Sequence, residues 1–131
     1  MKDPDEYDFW TYSVENEICW LNIDREDKKN AFNPQVLEEL HQILQNVGNV
    51  EKLRVLVISS ISDDFFSAGA DIKWFYGVTG EQGVEVSRKV QKVFGILETL
   101  PIPVIFAVKG LNLTAGFELM LASDIIIAAE N

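Results

Sequence analysis

The chain has 131 residues, of which 21 are acidic and 11 are basic, so its net charge is −10 with histidine neutral. This length predicts one domain, and the acidic balance argues against nucleic acid or an anionic membrane surface as a partner, because both attract basic proteins. With one cysteine and one histidine, the sequence excludes an internal disulfide, a thiolate zinc site and a multi-histidine metal centre, so we expect no metal site.

The first half of the chain predicts a β-hairpin, a helix and a strand. Phe9–Val14 and Ile18–Ile23 are rich in strand-forming residues and are separated by a short polar turn. After a charged loop, Pro34 suits the first turn of a helix with Asn33 as its N-cap, and apolar residues then recur at helical spacing. Arg54–Ser60 is almost continuously β-branched, as in a strand that is buried on both faces.

The second half alternates helices and strands, which indicates an α/β protein with parallel strands joined by helical crossovers. The predicted segments are a small-residue turn at Ser67–Ala70, a loop at Gly80–Gly83, an amphipathic helix from Val86 to Leu100, a strand at Val104–Val108, a short helix around Phe117–Ala122, and an apolar strand at Ile125–Ala129. We expect this last strand to be buried. Because nothing follows it to cover it, the pattern suggests a truncated domain.

Two segments place small residues where a strand gives way to a helix or loop, namely Phe66–Lys73 (FSAGADIK) and Lys109–Glu118 (KGLNLTAGFE). Small side chains let a ligand approach the backbone, and unpaired N–H groups bind anions. One N–H from each segment would form an oxyanion hole for a thioester carbonyl. The alternative is that both segments are only turns. Neither is a dinucleotide-binding or P-loop fingerprint.

Glu118 lies three residues after Ala115 in an apolar stretch. One interpretation is a surface acid that interacts favourably with the helix dipole. The other is a carboxylate held beside the proposed oxyanion hole, which is where a general acid/base for chemistry next to a carbonyl must lie. The aromatic residues Trp74, Phe75 and Tyr76 have two equally weighted interpretations, as the lining of an acyl pocket or as ordinary packing. Cys19 is interpreted as an inert buried thiol.

Several segments, in the same order and spacing, resemble the enoyl-CoA hydratase/isomerase (crotonase) family from about Ile18 onward. They are Lys29–Asn33 (KNAFN), Phe66–Lys73, Pro103–Gly110 (PVIFAVKG), and Gly116–Leu119 followed by Ala122–Ile125. The resemblance implies a crotonase-like ββα superhelical spiral and assembly into trimers or dimers of trimers. Residues 1–131 would then form the N-terminal part of a single crotonase-like domain, truncated after its N-terminal half.

The resemblance also implies roles for individual residues. The N–H groups of Ala70 and Ala115 would polarise the thioester, and Glu118 would be the first of two catalytic glutamates, which handles water in hydratases. The residues implied to bind substrate are Lys29, Ala68, Ala70, Asp71, Ile72, Lys73 and Ala115. Coenzyme A would enter as part of the acyl-CoA substrate, with no separate cofactor.

Two departures from the family pattern affect the predicted function. Where the family pattern has Gly-Gly-Gly followed by a small residue, this chain has Thr114-Ala115-Gly116 followed by Phe117. The family's second catalytic glutamate would lie beyond Asn131. We expect an enoyl-CoA hydratase. The alternatives are an isomerase or another CoA-thioester lyase of the same family, or a non-catalytic acyl-CoA-binding protein. The acidic N-terminus and the short apolar stretches predict neither a targeting peptide nor a membrane span, hence a soluble cytoplasmic protein.

Overall fold

The N-terminal hairpin of the computed structural model, which describes residues 6–130, joins strands β1 (Trp10–Glu15) and β2 (Ile18–Ile23). The two strands are antiparallel, with Glu15 opposite Ile18. The two turn residues, Asn16 and Glu17, have φ angles of 50° and 66°. Positive φ at both positions gives the turn twist that matches two right-handed strands, so the predicted hairpin is confirmed with its first strand shifted by one residue.

Parallel strands extend this hairpin into a five-stranded sheet of order β1-β2-β3-β5-β7. Every pairing after the first is parallel. The remaining elements, in chain order, are α1 (Pro34–Val47), β3 (Val55–Ser60), β4 (Phe65–Ser67), α2 (Ile72–Phe75), α3 (Gly80–Thr99), β5 (Val104–Val108), β6 (Leu111–Asn112), α4 (Ala115–Leu121) and β7 (Ile125–Ala128). The predicted α/β class with helical crossovers is confirmed.

Helix α1 packs on the sheet through an apolar face and is also held by hydrogen bonds at its N-terminus and to residues at the start of β1. The Asn33 side chain accepts a hydrogen bond from the Val36 N–H at 2.8 Å, as expected of an N-cap. The indole N–H of Trp10 donates to the Val36 carbonyl at 2.9 Å, and buried Glu39 accepts from the Phe9 N–H at 2.9 Å. Each large apolar side chain buried in this core stabilises the fold by about 1.5–3 kcal/mol.

Helix α3 begins earlier than the sequence predicts. Gly80–Gly83 forms its first turn, so the prediction of a loop there is wrong. The Thr79 hydroxyl accepts from the Gln82 N–H at 3.3 Å, and the Gln82 side chain accepts from the Thr79 N–H at 2.9 Å. This capping box satisfies the otherwise unpaired N–H groups of the first turn, which offsets the low helix propensity of the two glycines.

The end of the described chain also departs from prediction. Strand β7 pairs with β5 as expected, but the side chains of Ile125, Ile126 and Ile127 are 51%, 43% and 57% exposed, so the expected burial of this strand is wrong for residues 6–130. The short strands β4 and β6, which pair in parallel in a separate two-stranded sheet, were not predicted. Among the described helices, none is both long and apolar enough to cross a membrane.

Candidate active site

The pairing of β4 with β6 brings the two small-residue segments together. Phe65 lies opposite Leu111 and Ser67 opposite Asn112, and the Leu113 N–H continues the contact by donating to the Ser67 carbonyl at 3.0 Å. Strands that pair in parallel end at the same edge, so the loops that follow them meet there. The structure thus places Ala68–Asp71 beside Leu113–Gly116, which the sequence pattern had only suggested.

Two glycines permit this close approach. Gly69 has a φ of 103°, and a Cβ at this position would overlap the Thr114 side chain. At Gly116 a Cβ would overlap the Asn112 side chain and lie 2.7 Å from Cβ of Ser67. A larger residue at either position would force the two segments apart, because contacts this short are repulsive.

The two backbone N–H groups singled out in the sequence differ in their surroundings. The Ala70 N–H donates to the Thr114 Oγ1 at 3.2 Å. Ala115 is the first residue of α4, and its N–H has no hydrogen-bond acceptor within residues 6–130. Thr114 itself has φ 40° and ψ −111°, a conformation that β-branched residues rarely adopt. Its contact with Ala70 was not predicted from the sequence.

Glu118 shares a cavity with both small-residue segments. The cavity has a volume of about 250 Å³, and Ala70, Thr114, Ala115 and Glu118 all contribute to its wall. The rest of the lining is largely apolar and includes Phe32, Leu37, Trp74, Phe75, Val90 and Phe94. Of the three aromatic residues with two interpretations, Trp74 and Phe75 line this cavity, whereas Tyr76 is 93% exposed. A mostly apolar cavity with a few convergent polar groups is typical of a small-molecule site.

A neighbouring cavity of about 390 Å³ also reaches Glu118 and is lined by a second carboxylate, that of Glu98. The sequence had not singled out Glu98, because it lies on the exposed face of α3 with no motif around it. Within residues 6–130, no group of three or more acidic, histidine or cysteine side chains is arranged to hold a metal ion.

The remaining predicted substrate residues lie in the Lys29 loop and in the segment from Ala68 to Lys73, which contact each other. The Lys29 carbonyl accepts from the Ala68 N–H at 2.9 Å, which fixes the Lys29 loop against the second segment. Asp71 is the N-cap of α2, with its Oδ1 accepting from the Lys73 N–H at 3.1 Å. The side chains of Lys29 and Lys73 are exposed, and Ile72 is 85% exposed.

Asp71 also pairs with Arg25, a residue that sequence reasoning placed only in a polar loop. The Arg25 Nη1 lies 3.1 Å from the Asp71 Oδ2 and 2.7 Å from the Ala31 carbonyl oxygen. The Lys73 N–H, and after it the Arg25 guanidinium, lower the pKa of Asp71 by stabilising its charged form. No sequence signal identified this pair, because its two members lie on loops 46 residues apart.

Cys19 lies fully buried in β2, and burial raises the pKa of its thiol to about 11. A thiol with so high a pKa is a poor nucleophile at neutral pH. The predicted burial of Cys19 is therefore confirmed, and the raised pKa supports its interpretation as an inert thiol.

Comparisons with known proteins agree with this architecture. The family model for enoyl-CoA hydratase/isomerase matches residues 13–131. The crotonyl-CoA hydratase of Syntrophomonas wolfei is 34% identical over 117 residues, which are 89% of this chain and 45% of that protein. The human mitochondrial methylglutaconyl-CoA hydratase is 32% identical over 132 residues, covering 100% of this chain and 39% of that protein.

The fold is similar to that of solved structures. The crystal structure of an enoyl-CoA hydratase from Bacillus anthracis superimposes with a TM-score of 0.88 at 31% identity, covering 95% of this chain and 48% of that one. The chain thus spans about half the length of the proteins it matches, or less. Both the fold class and the resemblance inferred from the four segments are confirmed: the chain belongs to the enoyl-CoA hydratase/isomerase family.

Proposed function

We propose that this protein is an enoyl-CoA hydratase, which adds water across the 2,3 double bond of an acyl-CoA thioester. The observation that supports this proposal most directly is that Glu118, Ala70 and Ala115 line one largely apolar cavity. A carboxylate beside N–H donors suits chemistry at carbons next to a carbonyl, because the negative charge that develops on the carbonyl oxygen needs donors nearby.

In the proposed reaction Glu118 removes a proton from water while the water oxygen bonds to C3 of the substrate. The electron pair of the double bond moves toward the thioester, and negative charge develops on its oxygen, where donors at Ala70 and Ala115 stabilise it. Protonation at C2 then completes the addition. The resemblance implies a second glutamate for this step, beyond Asn131.

The charge distribution supports an anionic substrate at this location. The chain is strongly acidic as a whole, yet the surface of the Lys29 loop and of Ala68–Lys73 exposes the side chains of Lys29 and Lys73. We assign this surface to the coenzyme A portion, whose phosphates attract lysine ammonium groups. The homo-oligomer and the cytoplasmic location stay predictions, since the matched relatives include both bacterial and mitochondrial proteins.

The test is a Glu118→Gln substitution in the full-length gene product, assayed with a 2-enoyl-CoA by the loss of enoyl-thioester absorbance. We expect kcat to fall about 10²–10⁴-fold, because general acid/base catalysis contributes a factor of this size. Binding of a non-reactive saturated acyl-CoA should change little, since Gln has the same shape.

Glu98→Gln is the matched control. Glu118 lines both cavities, whereas Glu98 lines only the neighbouring cavity of about 390 Å³. We expect it to hydrate at close to the wild-type rate. A Glu118→Gln protein with wild-type turnover would refute the proposal, as would a wild-type protein that binds acyl-CoA without any turnover.

A further inference from the structure

The Thr114 hydroxyl occupies the place in front of the Ala70 N–H. Its Oγ1 lies 3.2 Å from the Ala70 nitrogen in hydrogen-bonding geometry. A thioester oxygen cannot accept the same N–H bond while this hydroxyl stays there, because the two oxygens would need the same position. Glycine at this position, as in the family pattern described above, would leave the N–H free.

The local packing holds the hydroxyl at this place. Thr114 keeps φ 40° and ψ −111°, a costly conformation for a β-branched residue. Its side chain packs directly over Gly69, where even a methyl group would overlap it. Thr114 therefore cannot move toward Gly69, and rotation away from Ala70 would break the hydrogen bond to that N–H.

The hydroxyl proton is available for another partner. Thr114 Oγ1 accepts from Ala70, and no acceptor for its own O–H lies within residues 6–130. The side chain lines the same cavity as Ala115 and Glu118. A hydroxyl that accepts one hydrogen bond becomes a better donor in the next, because the chain of bonds polarises.

We infer that Thr114 is a further catalytic residue: its hydroxyl donates to the thioester oxygen beside the Ala115 N–H, while the Ala70 N–H acts through that hydroxyl. This inference rests on the proposed function, since it needs a thioester in the cavity. The oxyanion then receives one O–H and one N–H donor in place of two backbone N–H groups, and no proton is transferred to it.

The first test compares hydration by full-length Thr114→Ser and Thr114→Val proteins. Serine keeps the hydroxyl, so we expect the kcat of Thr114→Ser to stay within about five-fold of wild type. Valine lacks the hydroxyl, so we expect the kcat of Thr114→Val to fall about 10²–10³-fold, as is typical when one oxyanion donor is lost. Valine matches threonine in shape and branching, so it preserves the packing over Gly69. If the valine protein does not fold by circular dichroism, Thr114→Cys tests the same loss without the β-branch, because its thiol still covers the Ala70 N–H but is only a weak donor.

The second test measures the carbonyl stretch of a bound, isotopically labelled thioester by difference infrared spectroscopy. We expect a shift to lower frequency in wild type and Thr114→Ser, and a return toward the solution value in Thr114→Val or Thr114→Cys. A residue with a merely structural role would not produce this pattern.

The outcomes separate the two proposals. If wild type hydrates the substrate and Glu118→Gln does not, but Thr114→Val matches or exceeds wild type in rate and carbonyl shift, then the hydroxyl is a bystander or an obstruction and only this inference is overturned. If wild type neither binds nor hydrates the thioester, the proposed function fails, and this inference fails with it.

Discussion

The side chain of Asn30 forms hydrogen bonds to three segments around the site. It is fully buried and has a φ of 53°, a left-handed conformation that asparagine tolerates better than most residues. Its Oδ1 accepts from the Arg25 N–H at 2.7 Å, and its Nδ2 donates to the Ser60 Oγ and to the Phe66 carbonyl, both at 2.9 Å. One side chain therefore joins the Lys29 loop to the ends of β3 and β4.

We expect Asn30→Ala to lower the free energy of unfolding by at least about 3 kcal/mol, because each buried partner left without a hydrogen bond costs about 1–3 kcal/mol. Asn30→Gly loses the same hydrogen bonds but tolerates positive φ, so it should be about 1 kcal/mol more stable than the alanine protein. Urea denaturation measures both values.

Asn46→Ala is the matched control, because this asparagine is exposed on α1 and donates only to the Gln42 carbonyl. It should change the free energy of unfolding by no more than about 0.5 kcal/mol. If Asn30→Ala were equally mild, the network around Asn30 would not be what fixes these loops.

At the residue scale, the sequence predicted which candidate groups would share a cavity better than it predicted their contacts. Glu118, Ala70 and Ala115 were all identified, and they do share a cavity. The Thr114 hydroxyl was not expected to contact Ala70, because that contact depends on the register of β4 against β6. Strands of three and two residues are too short to show a hydrophobic period.

Helix α2 depends on Asp71, which both caps the helix and pairs with Arg25. Asp71→Asn keeps a capping oxygen and loses the ion pair, for which we expect a loss of about 1–2 kcal/mol of unfolding free energy. Asp71→Ala loses the cap as well and should cost about 1 kcal/mol more. If the two variants were equal in stability, the cap would contribute nothing to α2. Exposed Asp27, which pairs with Lys28, gives the control Asp27→Asn, expected to be near neutral.

The lowered pKa of Asp71 makes the difference in unfolding free energy between wild type and Asp71→Asn depend on pH. A carboxyl whose pKa is lower in the folded than in the unfolded protein stabilises the fold above the unfolded value, about 3.9, and loses that contribution as the pH falls through the folded value. The stability gap between wild type and Asp71→Asn should therefore be constant from pH 7 to about 5 and shrink below about 4. If this stability gap widened on acidification, the ionised carboxylate of Asp71 would not be the group that stabilises the fold.

At the scale of elements, strands and helices with a clear hydrophobic period were predictable and short or capped segments were not. Helix α1 begins at the predicted Pro34, and strands β2, β3 and β5 follow their predicted bounds to within one residue. The start of α3 was missed because its two glycines resemble a loop, whereas the structure depends on the reciprocal bonds of Thr79 and Gln82. Helix α2 has only four residues, which is too short for a hydrophobic period to be recognised in the sequence.

At the scale of the whole molecule, the exposed apolar surface at β7 favours self-association. Ile125, Ile126 and Ile127 are half-exposed on a strand at the edge of the described sheet, and Leu121 of α4 is 61% exposed. Edge strands of this kind pair with other chains. We expect the 131-residue chain on its own to self-associate in light scattering, and Ile127→Lys to reduce the apparent mass. A monomer at all concentrations would contradict this expectation.

The order of the sheet also has a consequence for how the protein is made. The β1–β2 hairpin pairs neighbouring residues, but Ile18 also pairs with Val55 and Leu56 with Val104, so the middle of the sheet joins distant parts of the chain. At ribosomal rates the stretch between β3 and β5 takes on the order of seconds to synthesise. An interval of the same length separates the emergence of β3 from that of β5, and β3 then has the backbone N–H and C=O groups of one edge unpaired. The nascent chain is therefore most in need of chaperone protection while α3 leaves the ribosome.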